Sequence, residues 1–140
     1  MLQPGDILQE EQEIRKVLME NYFLALRLDS LDKHCAGFTK DLRTFLGNSE
    51  NGRDEGLEAY RKRLESKPAW IKPNEPAHAV NEEDIRITLD KSGFYPNLAS
   101  ATAWLKDSGP FWFDVFSLRK ETGNWKIYRL RWIPEGGAPP

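Results

Sequence analysis

The 140-residue chain contains one cysteine, Cys35, and two histidines, His34 and His78. A single thiol excludes an internal disulfide framework and gives no sign of an oxidising compartment. So few soft or imidazole ligands make no zinc constellation. There is also no basic run: 20 Lys and Arg stand against 22 Asp and Glu, interspersed, for a net charge of −2. Nothing of that kind can neutralise a row of phosphates, so neither a nucleic acid nor an anionic membrane is an expected partner. No apolar stretch approaches the roughly 18 residues of a membrane span, and Met1 to Asp6 lacks a charged leader followed by an apolar run. A soluble, cytoplasmic protein is the expectation. Glycine-rich phosphate loops, the HExxH zinc motif and the GxSxG nucleophile elbow are all missing, so no cofactor and no metal is expected.

Hydrophobic patterning is what the chain does have. Pro4-Gly5-Asp6 opens a helical run extending to about Leu28, with Asp6 as N-cap. Ile14, Leu18, Tyr22 and Ala25 form its apolar stripe, flanked by Val17, Leu24 and Leu28. Asp29-Ser30 breaks the run and caps a short second helix, from which Leu31, Cys35 and Phe38 face inward. Leu42 to Leu46 reads as a strand, and Asp54 opens a third helix with Leu57, Tyr60 and Leu64 on its apolar side. Its other face, Arg61, Lys62, Arg63 and Glu65, reads as solvated surface. A proline-bracketed loop, Lys67 to Pro73, carries Trp70. Four strand-like stretches follow, at about 77–89, 98–106, 111–120 and 125–133, separated by turn residues such as Glu121-Thr122-Gly123-Asn124. Helices first and an antiparallel meander afterwards is an α+β pattern, with three N-terminal helices closing over a curved, mostly antiparallel sheet. Residues 1–134 read as one domain and 135–140 as a disordered tail.

Asp114 is the residue that this pattern makes conspicuous. It lies in Phe111-Trp112-Phe113-Asp114-Val115-Phe116-Ser117-Leu118, and in a strand it shares a face with Trp112, Phe116 and Leu118. A carboxyl on such a face finds a partner, stays protonated or serves a ligand. Two registers of the last hairpin are open. A two-residue loop at Thr122-Gly123 sets Asp114 opposite Arg131 and makes a structural ion pair. A bulge at Gly123 sets it opposite Leu130, on the face of Tyr128 and Trp132.

The order of elements resembles the nuclear transport factor 2-like superfamily, which includes ketosteroid isomerases, SnoaL-like cyclases, scytalone dehydratase and non-catalytic modules. Three patterns carry the resemblance: Tyr22 followed by Asp29-Ser30-Leu31-Asp32 and Phe38-Thr39-Lys40-Asp41; Asn51-Gly52-Arg53-Asp54-Glu55-Gly56-Leu57; and Gly123-Asn124-Trp125-Lys126-Ile127 within the last hairpin. They cover roughly residues 8 to 134. The resemblance implies a cone-shaped fold with an internal pocket. By the ketosteroid isomerase pattern, Tyr22 and Asp114 fall on the two oxyanion-hole positions, the second an acid kept protonated by apolar surroundings. Trp132, Tyr128 and Leu98 fall on pocket-lining positions. The chain departs from that pattern at the general base, which belongs near Leu46, where Thr44, Phe45 and Leu46 offer none.

Several expectations follow. Asp114 and Tyr22 are the candidate catalytic pair, with Asp114 either a neutral donor or itself the acid and base. Trp112, Phe116, Tyr128, Trp132, Leu98, Leu46 and Trp70 are the candidate substrate-binding residues, with Trp70 either a lid over the pocket mouth or a dimer-contact or surface aromatic. Their flat apolar character suits a polycyclic or aromatic carbonyl or phenolic compound, and no anion-binding cluster is apparent. His34 reads as a partly exposed surface histidine, with a general base as the other reading; His78 carries little weight. The expected function is a cofactor-independent isomerase, cyclase or dehydratase. The alternative is a non-catalytic small-molecule-binding or assembly module. A homodimer is expected through the outer sheet face, where Phe111, Phe113 and Val115 would otherwise be exposed.

Overall fold

The computed structural model describes residues 4–25, 30–46, 53–66, 80–90, 94–105 and 112–133, with backbone alone for Pro4, Leu46, Arg53, Leu105, Trp112 and Phe113. Trp70, His78, Phe111, Leu28 and the 135–140 tail lie outside the described residues.

Helix α1, Pro4–Lys16, runs on as a π-helical segment, Val17–Leu24. Its expected stripe is buried: Ile14 and Leu18 at 0%, Tyr22 at 4% and Ala25 at 1% exposure. The wider turn alters the flank. With hydrogen bonds reaching five residues rather than four, Leu18 and Phe23 come onto one face. Phe23 is accordingly buried, whereas Leu24, expected beside the stripe, is 40% exposed.

Helix α2, Leu31–Ala36, is followed without a loop by strand β1, Phe38–Leu46. The strand therefore starts four residues before the expected Leu42, and Phe38 is buried from the strand rather than from the helix. Gly37 joins the two because the backbones approach closely there. A Cβ at Gly37 would stand 2.9 Å from the Asn21 Cβ, and the Gly37 carbonyl accepts from the Ile127 N–H at 2.8 Å. Asp54 does not open the third helix. Residues Arg53–Gly56 form an edge strand, β2, antiparallel to β1, with Arg43 paired to Asp54 at 2.6 Å. Helix α3 begins only after it, at Leu57–Glu65, with Tyr60 and Leu64 buried as the pattern predicts.

The expected strand at 77–89 is shorter among the described residues: a 3-10 turn, Glu82–Asp84, leads into β3, Ile85–Leu89. Strands β4 (Leu98–Leu105), β5 (Trp112–Glu121) and β6 (Asn124–Ile133) match the sequence reading closely. The six strands form one open sheet in the order β2-β1-β6-β5-β4-β3. All neighbours are antiparallel except β1 and β6, which run parallel. The architecture is thus α+β, as expected. α1 and its π extension supply Ile14, Leu18, Tyr22 and Phe23, and α3 supplies Tyr60 and Leu64, to a core completed by sheet residues such as Leu42, Phe116, Leu118, Ile127 and Leu130, with Leu31 and Cys35 of α2 packed against it.

The hairpin joining β5 and β6 corrects both expected registers. Thr122 and Gly123 have φ of 49° and 84°, the signature of a two-residue type I′ turn. Pairing starts as that turn dictates, with Glu121 opposite Asn124 and Leu118 opposite Ile127. Then Ser117 pairs with Arg129, leaving Tyr128 as an extra residue in a bulge. Beyond the bulge Asp114 faces Trp132, not Arg131 or Leu130, and Arg131 lies opposite Val115.

Candidate active site

Asp114 is buried to 1% exposure, on the face shared by Phe116 and Leu118, both at 0%. Two elements deliver its partners. The π-helical segment presents Tyr22, whose hydroxyl donates to Asp114 Oδ2 at 3.3 Å. Strand β6 presents Trp132, whose Nε1–H donates to the Tyr22 hydroxyl at 2.8 Å. The result is a directed chain, indole to phenol to carboxyl. The other carboxyl oxygen, Asp114 Oδ1, is buried with no hydrogen-bond partner among the described residues. Such an atom is costly unless a ligand oxygen or a proton in transit uses it.

Burial is the main cause of the acid's altered strength. It pushes Asp114 from 3.8 up to about 8, against a smaller downward pull from the Tyr22 hydrogen bond. Tyr22 is held well above the ordinary phenol range, first by burial and then by the charge of Asp114 and by Tyr60. The phenol therefore stays a donor throughout the physiological range, and Asp114 is the group of the pair that changes protonation state.

His34 corrects the surface reading: its exposure is 0%. Its Nδ1 lies 3.0 Å from the Tyr22 carbonyl and 3.2 Å from that of Asn21, acceptors in the last turn of the first helix. Facing two carbonyls, Nδ1 must carry the proton, so Nε2 accepts from the Tyr60 hydroxyl at 2.8 Å. Burial lowers the imidazole from 6.5 to about 4, outweighing the opposite effect of the two carbonyls. A neutral His34 thus ties α2 to the backbone at Tyr22 and stacks on its ring at 5.1 Å. The signal was present in the spacing, because Leu31, His34 and Cys35 recur at i, i+3 and i+4.

Arg63 also leaves the solvated face on which the sequence pattern puts it. Only 20% of its side chain is exposed, and its Nε donates to Glu55 Oε1 at 2.9 Å. The guanidinium carbon stands 5.4 Å from the Tyr60 ring and 5.7 Å from that of Trp132. No pattern of apolar residues could reveal this, since a long polar side chain can bury its stem from a flanking position.

The candidate binding residues divide. Phe116 packs edge-on against Tyr22 at 5.0 Å, and Trp132 is half-buried beside it. Tyr128 does not join them. The bulge turns it to the face where the guanidinium carbons of Arg119 and Arg129 each lie 5.3 Å from its ring. Leu98, opposite Arg119, is 41% exposed. Leu46 and Trp112 are placed by backbone only, in β1 and β5, and Trp70 is outside the described residues. On β1 Thr44 is buried and bonds the Glu55 carbonyl at 3.4 Å, so no carboxylate replaces the missing first-strand base there. Among the described residues no group of three or more His, Cys, Asp or Glu is placed to hold a metal ion, and no helix is long and apolar enough to cross a membrane.

Known structures of the same shape include a protein of unknown function from Shewanella baltica, with a TM-score of 0.64 at 17% identity, covering 93% of this chain and 97% of that one. Another, from Silicibacter pomeroyi, reaches a TM-score of 0.67 at 11% identity and covers 91% and 98%. Both are described as NTF2-like. The chain has the nuclear transport factor 2-like fold. A provisional scytalone dehydratase of Novosphingobium aromaticivorans shares this NTF2-like fold, with a TM-score of 0.58 at 15% identity over 95% of this chain and 91% of that one. No family model matches the sequence, and no curated protein matches it. At these identities the likeness speaks for the NTF2-like fold and not for a reaction.

Proposed function

We propose that the chain is a cofactor-independent acid–base enzyme, of the isomerase, cyclase or dehydratase kind, acting on an apolar polycyclic or aromatic carbonyl compound. One observation carries the reading: a buried acid whose Oδ1 has no partner among the described residues while its Oδ2 is held by a phenol that is itself held by an indole. Asp114 is the acid and base. When it ionises, the Tyr22 O–H and, behind it, the Trp132 N–H stabilise the charge at Oδ2, leaving Oδ1 to take a proton. The substrate's α-hydrogen passes to Oδ1, the C–H electron pair becomes the enolate double bond, and the carbonyl π pair moves to the substrate oxygen. Returning the proton to a different carbon completes an isomerisation. An acidity near 8 suits this work, since a base is most effective when its strength lies close to the operating pH.

The test is α-hydrogen exchange of β-tetralone in deuterium oxide, followed by proton NMR. The wild-type protein is expected to accelerate exchange, with a rate that rises with pH and levels above about 8. Asp114→Asn should cut the acceleration by about 10²- to 10⁴-fold while the fold persists. Equal exchange by the variant removes Asp114 from the mechanism. The second reading is a non-catalytic binding or assembly module, favoured by the absence of a carboxylate on β1 at Thr44 and Phe45. Binding of β-naphthol with no exchange by the wild type would decide for it. The expected homodimer belongs to either reading; light scattering on the eluted protein checks it, and a monomer sinks it.

A further inference from the structure

We infer that Arg63 is a carboxylate anchor, so that the ligand of this site is an aromatic or polycyclic acid bearing a carboxylate at the end remote from Asp114. The inference rests on the acid–base reading of Asp114 only for where the other end of the ligand sits.

Four features of Arg63 carry it. Glu55 occupies one edge of the guanidinium, with Nε 2.9 Å from Oε1 and 3.3 Å from Oε2. The two terminal nitrogens make no hydrogen bond to any described residue, which leaves a planar two-nitrogen edge of the kind that takes a carboxylate bidentately. The group is oriented, because its planar head lies by the rings of Tyr60 and Trp132 and its Nε edge is tied to Glu55. It is also mostly desolvated, at 20% exposure, so a second partner gains more there than on open surface.

The indole of Trp132 joins this anchor to the acid. One side of the indole meets Arg63, while its Nε1–H donates to Tyr22, which donates to Asp114. Asp114 and Trp132 are cross-strand partners, about 5 Å apart at Cα, and the Arg63 guanidinium carbon stands 5.7 Å from the Trp132 ring. The chain of contacts from anchor to acid runs through one indole and one phenol, with links of 5.7, 2.8 and 3.3 Å, and a two-ring compound is the ligand inferred to span it. Glu55 already balances the charge of Arg63, so the anchor selects by fork geometry as well as by attraction. A phenolic or keto acid meets these requirements; a neutral hydrocarbon ketone uses only one end of the site.

Calorimetry with β-naphthol and with the naphthol that carries a carboxylate on its far ring tests this directly. The carboxylated compound should bind the wild-type protein about tenfold more tightly or better. Arg63→Met should abolish that preference, read as the ratio of the two affinities so that a loss common to both ligands cancels, and Arg63→Gln serves if the methionine variant does not fold. Equal affinities in the wild type, or a preference that survives loss of the guanidinium, overturns the anchor. The β-tetralone exchange assay separates the two proposals. Exchange without a carboxylate preference sinks the anchor and keeps the enzyme. A preference without exchange keeps the anchor and sinks the enzyme.

Discussion

Replacing Asp114 by asparagine perturbs stability as well as any activity, and the direction is opposite to that of most buried-polar substitutions. In the folded protein the carboxyl is pushed from 3.8 up to about 8 by burial. Between those two values the folded state binds a proton that the unfolded state has lost, so stability falls as pH rises across the window. At pH 7 the unfolded carboxyl is ionised, about three units above its ordinary value. At ~1.4 kcal/mol per unit, keeping Asp114 neutral in the fold costs about 4 kcal/mol. Asparagine removes that cost and keeps an amide oxygen for the Tyr22 hydroxyl. Allowing ~1 kcal/mol for a poorer hydrogen bond, the variant should be about 3 kcal/mol more stable than the wild type at pH 7.

The wild-type curve alone would hide this effect. His34 is lowered from 6.5 to about 4, so its folded state binds fewer protons than the unfolded chain in that interval, and stability rises with pH across it. Between pH 4 and about 6.5 the slopes of Asp114 and His34 oppose each other and nearly cancel. Urea denaturation of both proteins at half-unit steps from pH 3.5 to 9 therefore has to be read as a difference. That difference should be near zero or slightly negative at pH 3.5, grow by ~1.4 kcal/mol per unit, and level above about 8. The variant by itself should show the rising His34 slope uncovered. A difference that does not change with pH, or a wild type more stable at pH 7, refutes the buried neutral acid.

Tyr22→Phe removes the hydroxyl that accepts from Trp132 and donates to Asp114, which should cost about 1–3 kcal/mol in urea denaturation. It should also move the Asp114 titration upward in carbon-detected NMR, because the lost hydrogen bond is the one that lowers it; a downward move contradicts the network. His34→Leu leaves the buried Tyr60 hydroxyl and the Tyr22 carbonyl without their partner, for a loss of about 2–4 kcal/mol at pH 7. Most of the wild type's His34 slope between pH 4 and 6.5 should disappear with it, and persistence of that slope would assign it to another group.

The α+β order of elements, the stripe of Ile14, Leu18, Tyr22 and Ala25, and the last three strands were legible because each depends on periodicity within one segment. Asp114 was conspicuous for the same reason, since an acid among alternating aromatics stands out without any knowledge of its neighbours. Its partner across the hairpin was not legible. The turn at Thr122-Gly123 sets the register locally, but the bulge at Tyr128 resets it, and nothing in the residues from Trp125 to Trp132 marks where the extra residue goes. The β2 edge strand was hidden similarly: Arg53–Gly56 has a helix-opening appearance, and only pairing with β1 makes it a strand.

What the sequence alone determined is the class of fold and one acid with one phenol on apolar faces. Tertiary structure decided that these two meet, that Trp132 backs them, that His34 is buried and that Arg63 turns inward beside the same indole. The reason is physical. Periodicity records which side of an element is dry, whereas hydrogen bonds, desolvation and cation–π contacts depend on distances between elements far apart in the chain, here 92 residues from Tyr22 to Asp114 and 110 from Tyr22 to Trp132.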